Sequence, residues 1–429
     1  MAADFLAAKY NSIKRNRGRG GMKKNVVKNV VMLYGLSIAK IVFPLITLPY
    51  LTRVLTVDCY GTVAYVKTLM QYMQIIVDFG FLLSGTKEIA SKRDNKEAIE
   101  YVMGDILIAR ILLGLIGLLV LALLIFIIPI LRAEPLYVLL SYITVFLSVF
   151  LFDYYFRGIE KMQIITSRFV VMRAISTALT FILVHNDNDI LWIPVLDIIG
   201  SLFAILFIVI EIRKDKIKLR FTTTKSIIKK LIDSSIYFAS DMATTAFGAL
   251  TTVIIGAFMP AADVAYWSVC MQLIGAVQTM YNPITSGVYP DMIRTKDINL
   301  IKRVFKLIMP VILVGSIFTY FVAPYALQIA FGYQYRDAYP ILQSLIPVLI
   351  FSFPGMLFGW PTLGAINKAK QVTFSTITTA IFQILGLLLL LIFGWFELIS
   401  VAILRGLTEF VLMSIRLMFC VKYKSEFAK

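Results

Sequence analysis

Four basic side chains lie inside long apolar segments of this sequence, where a charge is expensive. They are Lys40, Lys67, Arg110 and Arg173. A charged side chain costs roughly 2.5–3.5 kcal/mol at the centre of a membrane helix on insertion scales, so each should face protein or a wet cavity. Fixed positive charge where water is scarce suits a phosphate or a diphosphate. We therefore predict that these residues bind a diphosphate in a cavity facing both halves of the chain.

Neutral polar side chains recur at helical spacings near the same cations. Gln71 and Gln74 follow Lys67 on one predicted helix, and Gln272 and Asn282 lie on another. Amide groups of this kind suit sugar hydroxyls, and we predict that these four residues form the polar lining for a sugar. The pattern leaves an alternative open, in which they join neighbouring helices through hydrogen bonds.

Three carboxylates at or near membrane depth are candidates for proton coupling, namely Asp241, Asp78 and Glu409. Removal from water disfavours the ionised form of a carboxylate, whereas a neighbouring cation favours it. Arg405 precedes Glu409 by four residues, a common ion-pair spacing, so a structural role is expected for this pair. Asp241 has no cation within one turn of its own helix and is the better proton carrier.

No catalytic residue, metal site or cofactor is predicted. The three cysteines, Cys59, Cys270 and Cys420, fall in different segments and show neither disulfide nor metal-binding spacing. His185 lies in a polar loop and is interpreted as a solvated residue. Redox chemistry is therefore not expected.

The elements that must position these residues are transmembrane helices. The 429 residues are 59% hydrophobic and 16% charged, beyond the roughly 45–50% apolar share of soluble domains. Apolar runs of about 20 residues, such as Ile111–Ile130, match a helix that crosses a hydrocarbon core of ~30 Å, and they lack the alternation of barrel strands. Twelve spans are predicted, at 27–52, 60–83, 102–130, 136–157, 163–184, 190–212, 231–258, 262–289, 303–327, 339–361, 371–393 and 397–421.

The loop charges predict the orientation of these spans. Basic residues concentrate in alternate connecting segments, including a run of eight from Arg213 to Lys230, whereas the opposite segments hold only Arg53, Arg132 and Arg336. By the positive-inside rule, both termini are cytoplasmic. Because these charges are spread among short loops, they favour membrane lipids and argue against nucleic acid as a partner.

The long basic loop divides the predicted spans into two sets of six. We predict a disordered basic cytoplasmic tail (1–25), an N-terminal six-helix bundle (26–212), a basic cytoplasmic linker (213–230), a C-terminal six-helix bundle (231–422) and a cytoplasmic tail (423–429). A shift of 201 residues aligns the Val-Ala-Tyr sequence at 63–65 with that at 264–266, and Gln71 with Gln272. This favours a parallel internal repeat. The N-terminal tail is not predicted to be a cleaved signal peptide. Met22 is a second candidate for the native start.

Two motifs carry a resemblance to a known family. The first runs from Arg53-Val54-Leu55 through Tyr60-Gly61 and Val77-Asp78-Phe79-Gly80-Phe81 to Ser84-Gly85-Thr86-Lys87-Glu88-Ile89-Ala90, and the second is Phe156-Arg157-Gly158-Ile159-Glu160-Lys161-Met162. They resemble motifs of the Wzx-type O-antigen and polysaccharide flippases of the multidrug/oligosaccharidyl-lipid/polysaccharide (MOP) exporter superfamily. In the second motif, Arg157 stands where the family usually has Gln.

The resemblance covers nearly the whole chain and implies an all-α integral membrane protein with the MATE-like MOP fold of two six-helix bundles. It implies alternating access to a polyprenyl-diphosphate-linked oligosaccharide, such as an O-antigen, capsule or exopolysaccharide repeat unit, in the bacterial plasma (inner) membrane. Coupling to protons or to the membrane potential is also implied. A polysaccharide polymerase and its chain-length machinery are expected partners.

Two other functions remain alternatives to a transporter of the flippase type. A drug or cation antiporter of the same superfamily would share the fold but would favour buried carboxylates over buried cations. A membrane glycosyltransferase or polymerase is an enzyme that would normally expose a sizeable outer loop with acidic catalytic residues, whereas the predicted outer loops are all short. A membrane scaffold would not explain the matching polar faces of the two halves.

Overall fold

The computed structural model describes residues 20–427, without the side chains of residues 20–31, 33, 34 and 243–247. Within residues 20–427 the chain is helical and contains no β-strand, which confirms the all-α prediction. Residues 1–19 of the predicted N-terminal tail and residues 428 and 429 of the C-terminal tail lie outside this range. The first helix among the described residues, Gly20–Val54, overlaps the predicted N-terminal tail.

The described residues form fifteen α-helices, numbered here in chain order. They are α1 (Gly20–Val54), α2 (Val57–Asp78), α3 (Phe81–Ser91), α4 (Lys96–Ile127), α5 (Pro129–Ala133), α6 (Pro135–Leu147), α7 (Asp153–Gly158), α8 (Met162–Leu183), α9 (Trp192–Lys214), α10 (Thr224–Phe258), α11 (Ala261–Thr295), α12 (Ile298–Phe331), α13 (Tyr339–Leu357), α14 (Ala369–Ile392) and α15 (Leu398–Lys422). Short 3₁₀ turns at Ser148–Leu151 and Tyr333–Ala338 and a π turn at Phe358–Leu363 connect or extend them.

These helices form two compact units. The N-terminal unit runs to Thr245 and includes Gly256–Ala261, and the C-terminal unit comprises Ala246–Ile255 and the chain from Ala262 onward. In the N-terminal unit, α1 packs on α8, α9 packs on α6 and α8, and α2 packs on α4 and α6. In the C-terminal unit, α13 packs on α12 and α15, and α14 packs on α15. The boundary between the units falls within α10, and the two predicted six-helix bundles stay a prediction.

Nine of the helical segments between residues 20 and 427 are long and apolar enough to cross a membrane. They correspond to nine of the twelve predicted spans. The predicted spans at 60–83, 231–258 and 262–289 do form the long helices α2, α10 and α11, but these are not among the nine. Helices α2 and α11 carry polar side chains along their length, which lowers their hydropathy. The total of twelve spans therefore remains a prediction.

The second predicted span, 60–83, ends earlier than the sequence indicated. Helix α2 stops at Asp78 because Phe79 and Gly80 both adopt left-handed backbone conformations, with φ of 41° and 72°. A Cβ atom at Gly80 would lie 2.5 Å from the Tyr237 Cβ and 2.7 Å from the Phe238 backbone nitrogen, so only glycine fits there. The left-handed pair separates α2 from α3 and brings both against the start of α10.

Helix α4 illustrates how a span meets both lipid and protein. Asn95 caps its first turn by accepting a hydrogen bond from the Ala98 backbone nitrogen at 3.0 Å. The inward face carries Gly117, where a Cβ atom would lie 2.5 Å from the Tyr142 hydroxyl, so a small residue permits the close approach of α6. The outward face carries Leu119 and Phe126, which are 67% and 72% exposed. Exposed apolar side chains of this kind suit a hydrocarbon environment.

Candidate substrate-binding site

A cavity of about 180 Å³ lies inside the N-terminal unit, among helices α1, α2, α6, α8 and α9. Its charged lining consists of Lys67 from α2, Arg173 from α8 and Asp197 from α9. Arg173 Nη1 forms an ion pair with Asp197 Oδ1 at 2.7 Å, and Ser176 donates a hydrogen bond to the same oxygen at 2.8 Å. Within the described part of the chain, Lys67 makes neither a hydrogen bond nor an ion pair. Two cations and one carboxylate therefore leave the lining with one uncompensated positive charge.

Hydroxyl groups make up most of the remaining polar lining of this cavity. Among the described residues, the buried Thr144 hydroxyl has no hydrogen-bond partner, although a buried polar group is normally paired. The lining can therefore donate hydrogen bonds to an oxygen-rich ligand beside a fixed positive charge. The hydroxyl residues that line the cavity are Thr47, Tyr137, Ser141, Thr144, Ser176, Thr177 and Thr180.

Arg110 does not line this cavity. Its guanidinium forms an ion pair with Asp78 at 2.5 Å and donates to the backbone oxygens of Val77 and Val149 at 3.4 and 3.3 Å. The residue is only 5% exposed. These contacts tie α4 to the end of α2 and to the 3₁₀ turn after α6. Arg110 therefore has a structural partner for its charge, and we no longer propose it as a diphosphate ligand.

Lys40 lies outside the cavity as well, although it shares helix α1 with the lining residue Thr47. Its ammonium group lies 5.8 Å from the centre of the Phe169 ring. Its electrostatic neighbours are Arg157, Asp153, Asp78 and Arg168, whereas those of Lys67 are Arg173 and Asp197. The structure thus brings together two of the four predicted cations, Lys67 and Arg173, and places Lys40 and Arg110 elsewhere in the N-terminal unit.

The four residues predicted to form the polar lining lie in different places in the structure. Gln74 donates a hydrogen bond to the Ser148 hydroxyl at 2.9 Å, so it joins α2 to the 3₁₀ turn after α6. Gln71 is exposed on α2. Gln272 and Asn282 lie on α11 in the C-terminal unit, where Gln272 is half-buried and Asn282 is exposed. In the described structure, the side chains of Gln71, Gln272 and Asn282 make no hydrogen bond.

The three candidate coupling carboxylates differ in their partners. Asp78 pairs with Arg110, as described above. Glu409 pairs with Arg405 at 2.8 Å, and both side chains are about 5% exposed, which confirms the pair that their spacing predicted. Asp241 is half-buried on α10 and makes no hydrogen bond or ion pair within the described residues. Its electrostatic neighbour is another carboxylate, Asp78.

Sequence reasoning missed Asp197, which neutralises Arg173 in the cavity. The signal was present, because a carboxylate within the apolar segment of α9 is as unusual as the cations that were singled out. It also missed the pair between Arg168 and Asp153, whose atoms approach to 2.9 Å.

The fold is shared with solved membrane transporters. A structure described as an inward-facing multidrug resistance MATE family transporter of the MOP superfamily matches with a TM-score of 0.64 at 16% identity, covering 92% of this chain and 98% of that one. The lipid II flippase MurJ, in its inward closed conformation, matches with a TM-score of 0.69 at 12% identity, covering 92% and 87%. At these identities the likeness concerns the fold alone. The chain therefore has the MATE-like MOP fold.

Proteins with similar sequences indicate the family to which the chain belongs. The "Putative O-antigen transporter" of Escherichia coli (strain K12) is 25% identical over 405 residues, which are 92% of this chain and 97% of that protein. A protein of the same description from Shigella dysenteriae is 27% identical over 271 residues, which are 62% of this chain and 67% of that protein. The family model described as polysaccharide biosynthesis protein matches residues 26–296. The chain belongs to this family. The match confirms the resemblance to Wzx-type flippases and the prediction of a transporter rather than an enzyme.

Proposed function

We propose that this chain moves a polyprenyl-diphosphate-linked oligosaccharide across the bacterial plasma (inner) membrane by alternating access. The oligosaccharide is the repeat unit of an O-antigen, a capsule or an exopolysaccharide. Membership of the polysaccharide biosynthesis family supports this proposal, and so do the relatives described as O-antigen transporters and the fold shared with a lipid II flippase. We place both termini in the cytoplasm, and a polysaccharide polymerase with its chain-length machinery among the partners.

The observation that carries the proposal is the uncompensated charge of Lys67. Its ammonium group lies in a cavity where Arg173 is already neutralised by Asp197. Lys67 is an exposed residue, so a ligand can reach its ammonium group. An anion stabilises such an unpaired cation, and a phosphate oxygen supplies both the charge and a strong hydrogen-bond acceptor. A cavity of about 180 Å³ has room for a diphosphate group but not for a whole oligosaccharide. We therefore assign the diphosphate to Lys67 and Arg173.

The neighbouring hydroxyls extend the same assignment. Thr144 and Thr177 line the cavity from α6 and α8. Each of these two hydroxyls can donate to a phosphate oxygen and can accept from a sugar hydroxyl. An antiporter for cationic drugs would need the opposite polarity, because a net positive lining repels a cation. The cavity therefore favours an anionic substrate over the cations that such an antiporter moves.

A substitution of Lys67 tests the proposal. Lys67→Gln should reduce the rate of transport at least about tenfold, since a hydrogen bond to a charged group is worth roughly 1.5–3 kcal/mol. Lys67→Arg should be milder because it keeps the charge. The measurement is surface polysaccharide in cells that depend on this chain for export, with the amount of protein in the membrane determined on the same cells.

Lys306→Gln is a matched control, because Lys306 is an exposed lysine on α12 without a partner among the described residues. It should leave surface polysaccharide unchanged. Normal polysaccharide in Lys67→Gln cells that contain normal amounts of protein would remove Lys67 from the site and with it the main support for the proposal.

A further inference from the structure

The ion pair between Arg173 and Asp197 occupies part of the cavity that we assign to the diphosphate. Arg173 on α8 donates to Asp197 on α9 at 2.7 Å, and both residues line the cavity together with Lys67. The Arg173 side chain is 32% exposed and that of Asp197 is 29% exposed, so a ligand in the cavity can reach both. Within residues 20–427, Asp197 is the sole hydrogen-bond partner of the Arg173 guanidinium. The site therefore already holds a carboxylate where a phosphate oxygen would bind.

The charge of Asp197 also affects how firmly the cavity holds an anion. Lys67 and Arg173 give the lining two positive charges, and Asp197 offsets one of them. A diphosphate joined to a lipid and to a sugar has one ionised oxygen on each phosphate. Its binding therefore leaves the filled cavity with one net negative charge, whereas the same cavity without the carboxylate would be neutral. Asp197 thus weakens the binding of a diphosphate twice, because it occupies the arginine and repels the phosphate charge.

The surroundings of Asp197 allow it to give up Arg173. Its Oδ1 atom also accepts a hydrogen bond from the Ser176 hydroxyl at 2.8 Å. When a phosphate oxygen takes the guanidinium, this hydroxyl still donates to the carboxylate, so the displaced Asp197 is not left without a partner. A guanidinium binds carboxylate and phosphate oxygens with the same planar array of donors. The exchange therefore replaces one charge-assisted hydrogen bond of Arg173 with another.

We propose that Asp197 competes with the diphosphate for Arg173, and that this competition permits release of the substrate. A transport site must bind firmly enough to load and weakly enough to unload. Asp197 holds Arg173 in the empty protein, a phosphate oxygen holds it in the loaded protein, and the return of Asp197 offsets the loss of the phosphate contact on unloading. Asp197 is a positioning residue, because it acts through Arg173. The inference rests on the proposed function, since it takes the diphosphate as the ligand of Arg173.

Titration calorimetry with inorganic pyrophosphate measures this competition on the purified full-length protein in detergent, at low ionic strength. Asp197→Asn removes the charge of the carboxylate at nearly constant size, and it should bind pyrophosphate at least about tenfold more tightly than the wild type. Asp197→Glu keeps a carboxylate and should restore the weaker binding. Asp94→Asn is the matched control, because Asp94 is an exposed carboxylate that does not line the cavity, and it should titrate as the wild type.

Surface polysaccharide, measured in cells that depend on this chain for export, separates competition from a purely structural role. Asp197→Asn should lower surface polysaccharide at normal amounts of membrane protein, because a diphosphate that is held more tightly leaves more slowly. A loss of structure would instead lower binding and transport together. Where Asp197→Asn is recovered in low yield, the rise in Tm on adding pyrophosphate replaces calorimetry, and this rise should be larger than in the wild type.

The outcomes distinguish this inference from the proposed function. If Asp197→Asn binds pyrophosphate no more tightly than the wild type, by calorimetry or by the rise in Tm, Asp197 does not compete for Arg173 and the inference is wrong. The role of the cavity then still stands where Lys67→Gln weakens pyrophosphate binding. If neither Lys67→Gln nor Asp197→Asn changes that binding, both proposals fail. Tighter binding by Asp197→Asn with normal surface polysaccharide would show that release does not depend on Asp197.

Discussion

At the scale of single residues, the charges at membrane depth fall into two kinds. Arg110, Arg173 and Arg405 each have a carboxylate within 2.8 Å, and these pairs fasten helices together or neutralise a buried charge. Lys40 and Lys67 have no ion pair among the residues described. Removing one partner of a buried pair leaves an uncompensated charge and costs about 3–5 kcal/mol, whereas an unpaired charge is available to a ligand. The two kinds therefore predict different effects of mutation.

Asp241 is the carboxylate to which we assign proton coupling. It has no cation partner in the described structure, and Asp78, its electrostatic neighbour, is itself a carboxylate paired with Arg110. Asp241→Asn should therefore abolish the response of transport to a pH gradient imposed across liposomes, while the amount of folded protein stays the same.

Glu409→Gln is the comparison for Asp241→Asn, because Glu409 is buried and paired with Arg405. It should lower the yield of folded protein and leave the gradient response of the surviving protein intact. An unchanged gradient response in Asp241→Asn liposomes would exclude Asp241 as the coupling residue. The membrane potential acting on a charged substrate would then be the simpler driving force.

At the scale of elements, the basic linker is bound along its length to the N-terminal unit. Glu100 on α4 accepts a hydrogen bond from the Lys218 backbone nitrogen at 2.9 Å and pairs with Arg220 at 3.0 Å. The buried Asp105, one helical turn and a residue further on, accepts from the Thr222 backbone nitrogen at 3.1 Å, just before α10 begins. The residues from Lys218 to Thr222 therefore form a strap that fixes the start of α10 on α4.

The first turns of α10 are also held by an ion-pair cluster. Lys230 and Lys92 both contact the Glu88 carboxylate at 2.7 Å. Burial alone would raise the pKa of Glu88, but the hydrogen bonds from Lys230 and Lys92 hold it below its usual value. Its contribution to stability is therefore present at neutral pH and is lost only as the pH falls through that lowered pKa.

The strap can be displaced by a substitution at Gly104. A Cβ atom there would lie 1.9 Å from the Arg220 backbone oxygen, so Gly104→Val should force the strap away from α4. We expect the free energy of unfolding to fall by about 1–3 kcal/mol, as for other overpacked sites. Trypsin should cleave faster between Arg213 and Lys230, which is measured by the rate of appearance of the two half-chains.

Gly315→Val is the matched control, because nothing lies within 4 Å of a Cβ atom at Gly315 on α12. It should leave both the cleavage rate and the thermal stability close to those of the wild type. Equal cleavage of the Gly104→Val and Gly315→Val proteins would show that the linker is not held on α4.

At the scale of the whole molecule, the loop charges predict which surface faces the cytoplasm. Single cysteines, introduced after the three native cysteines are replaced, test this with an impermeant thiol reagent. Positions 216 and 296 should react only after the membrane is opened, whereas positions 188 and 336 should react in intact cells. All four are exposed, so access to the reagent depends on the side of the membrane. Labelling of position 216 in intact cells would overturn the orientation.

The sequence by itself determined the features that depend on local order. Apolar runs of sufficient length specify membrane helices, and a spacing of four residues correctly paired Arg405 with Glu409, because both rules concern neighbours on one helix. The two sequence motifs also indicated the MOP superfamily. Even here, the end of α2 escaped prediction, since the left-handed conformation of Phe79 has no sequence signal as clear as that of Gly80.

Only the tertiary structure decided which charges at membrane depth lack an ion-pair partner. Arg110 and Asp78 are 32 residues apart, and Arg173 and Asp197 are 24 residues apart, so their pairing depends on how separate helices pack. For the same reason the four predicted cations, alike in sequence, divide into two that line a cavity, one in a structural pair and one near the Phe169 ring. A charge at membrane depth is visible in a sequence, but its compensation is a matter of a few ångströms between helices that the sequence does not place.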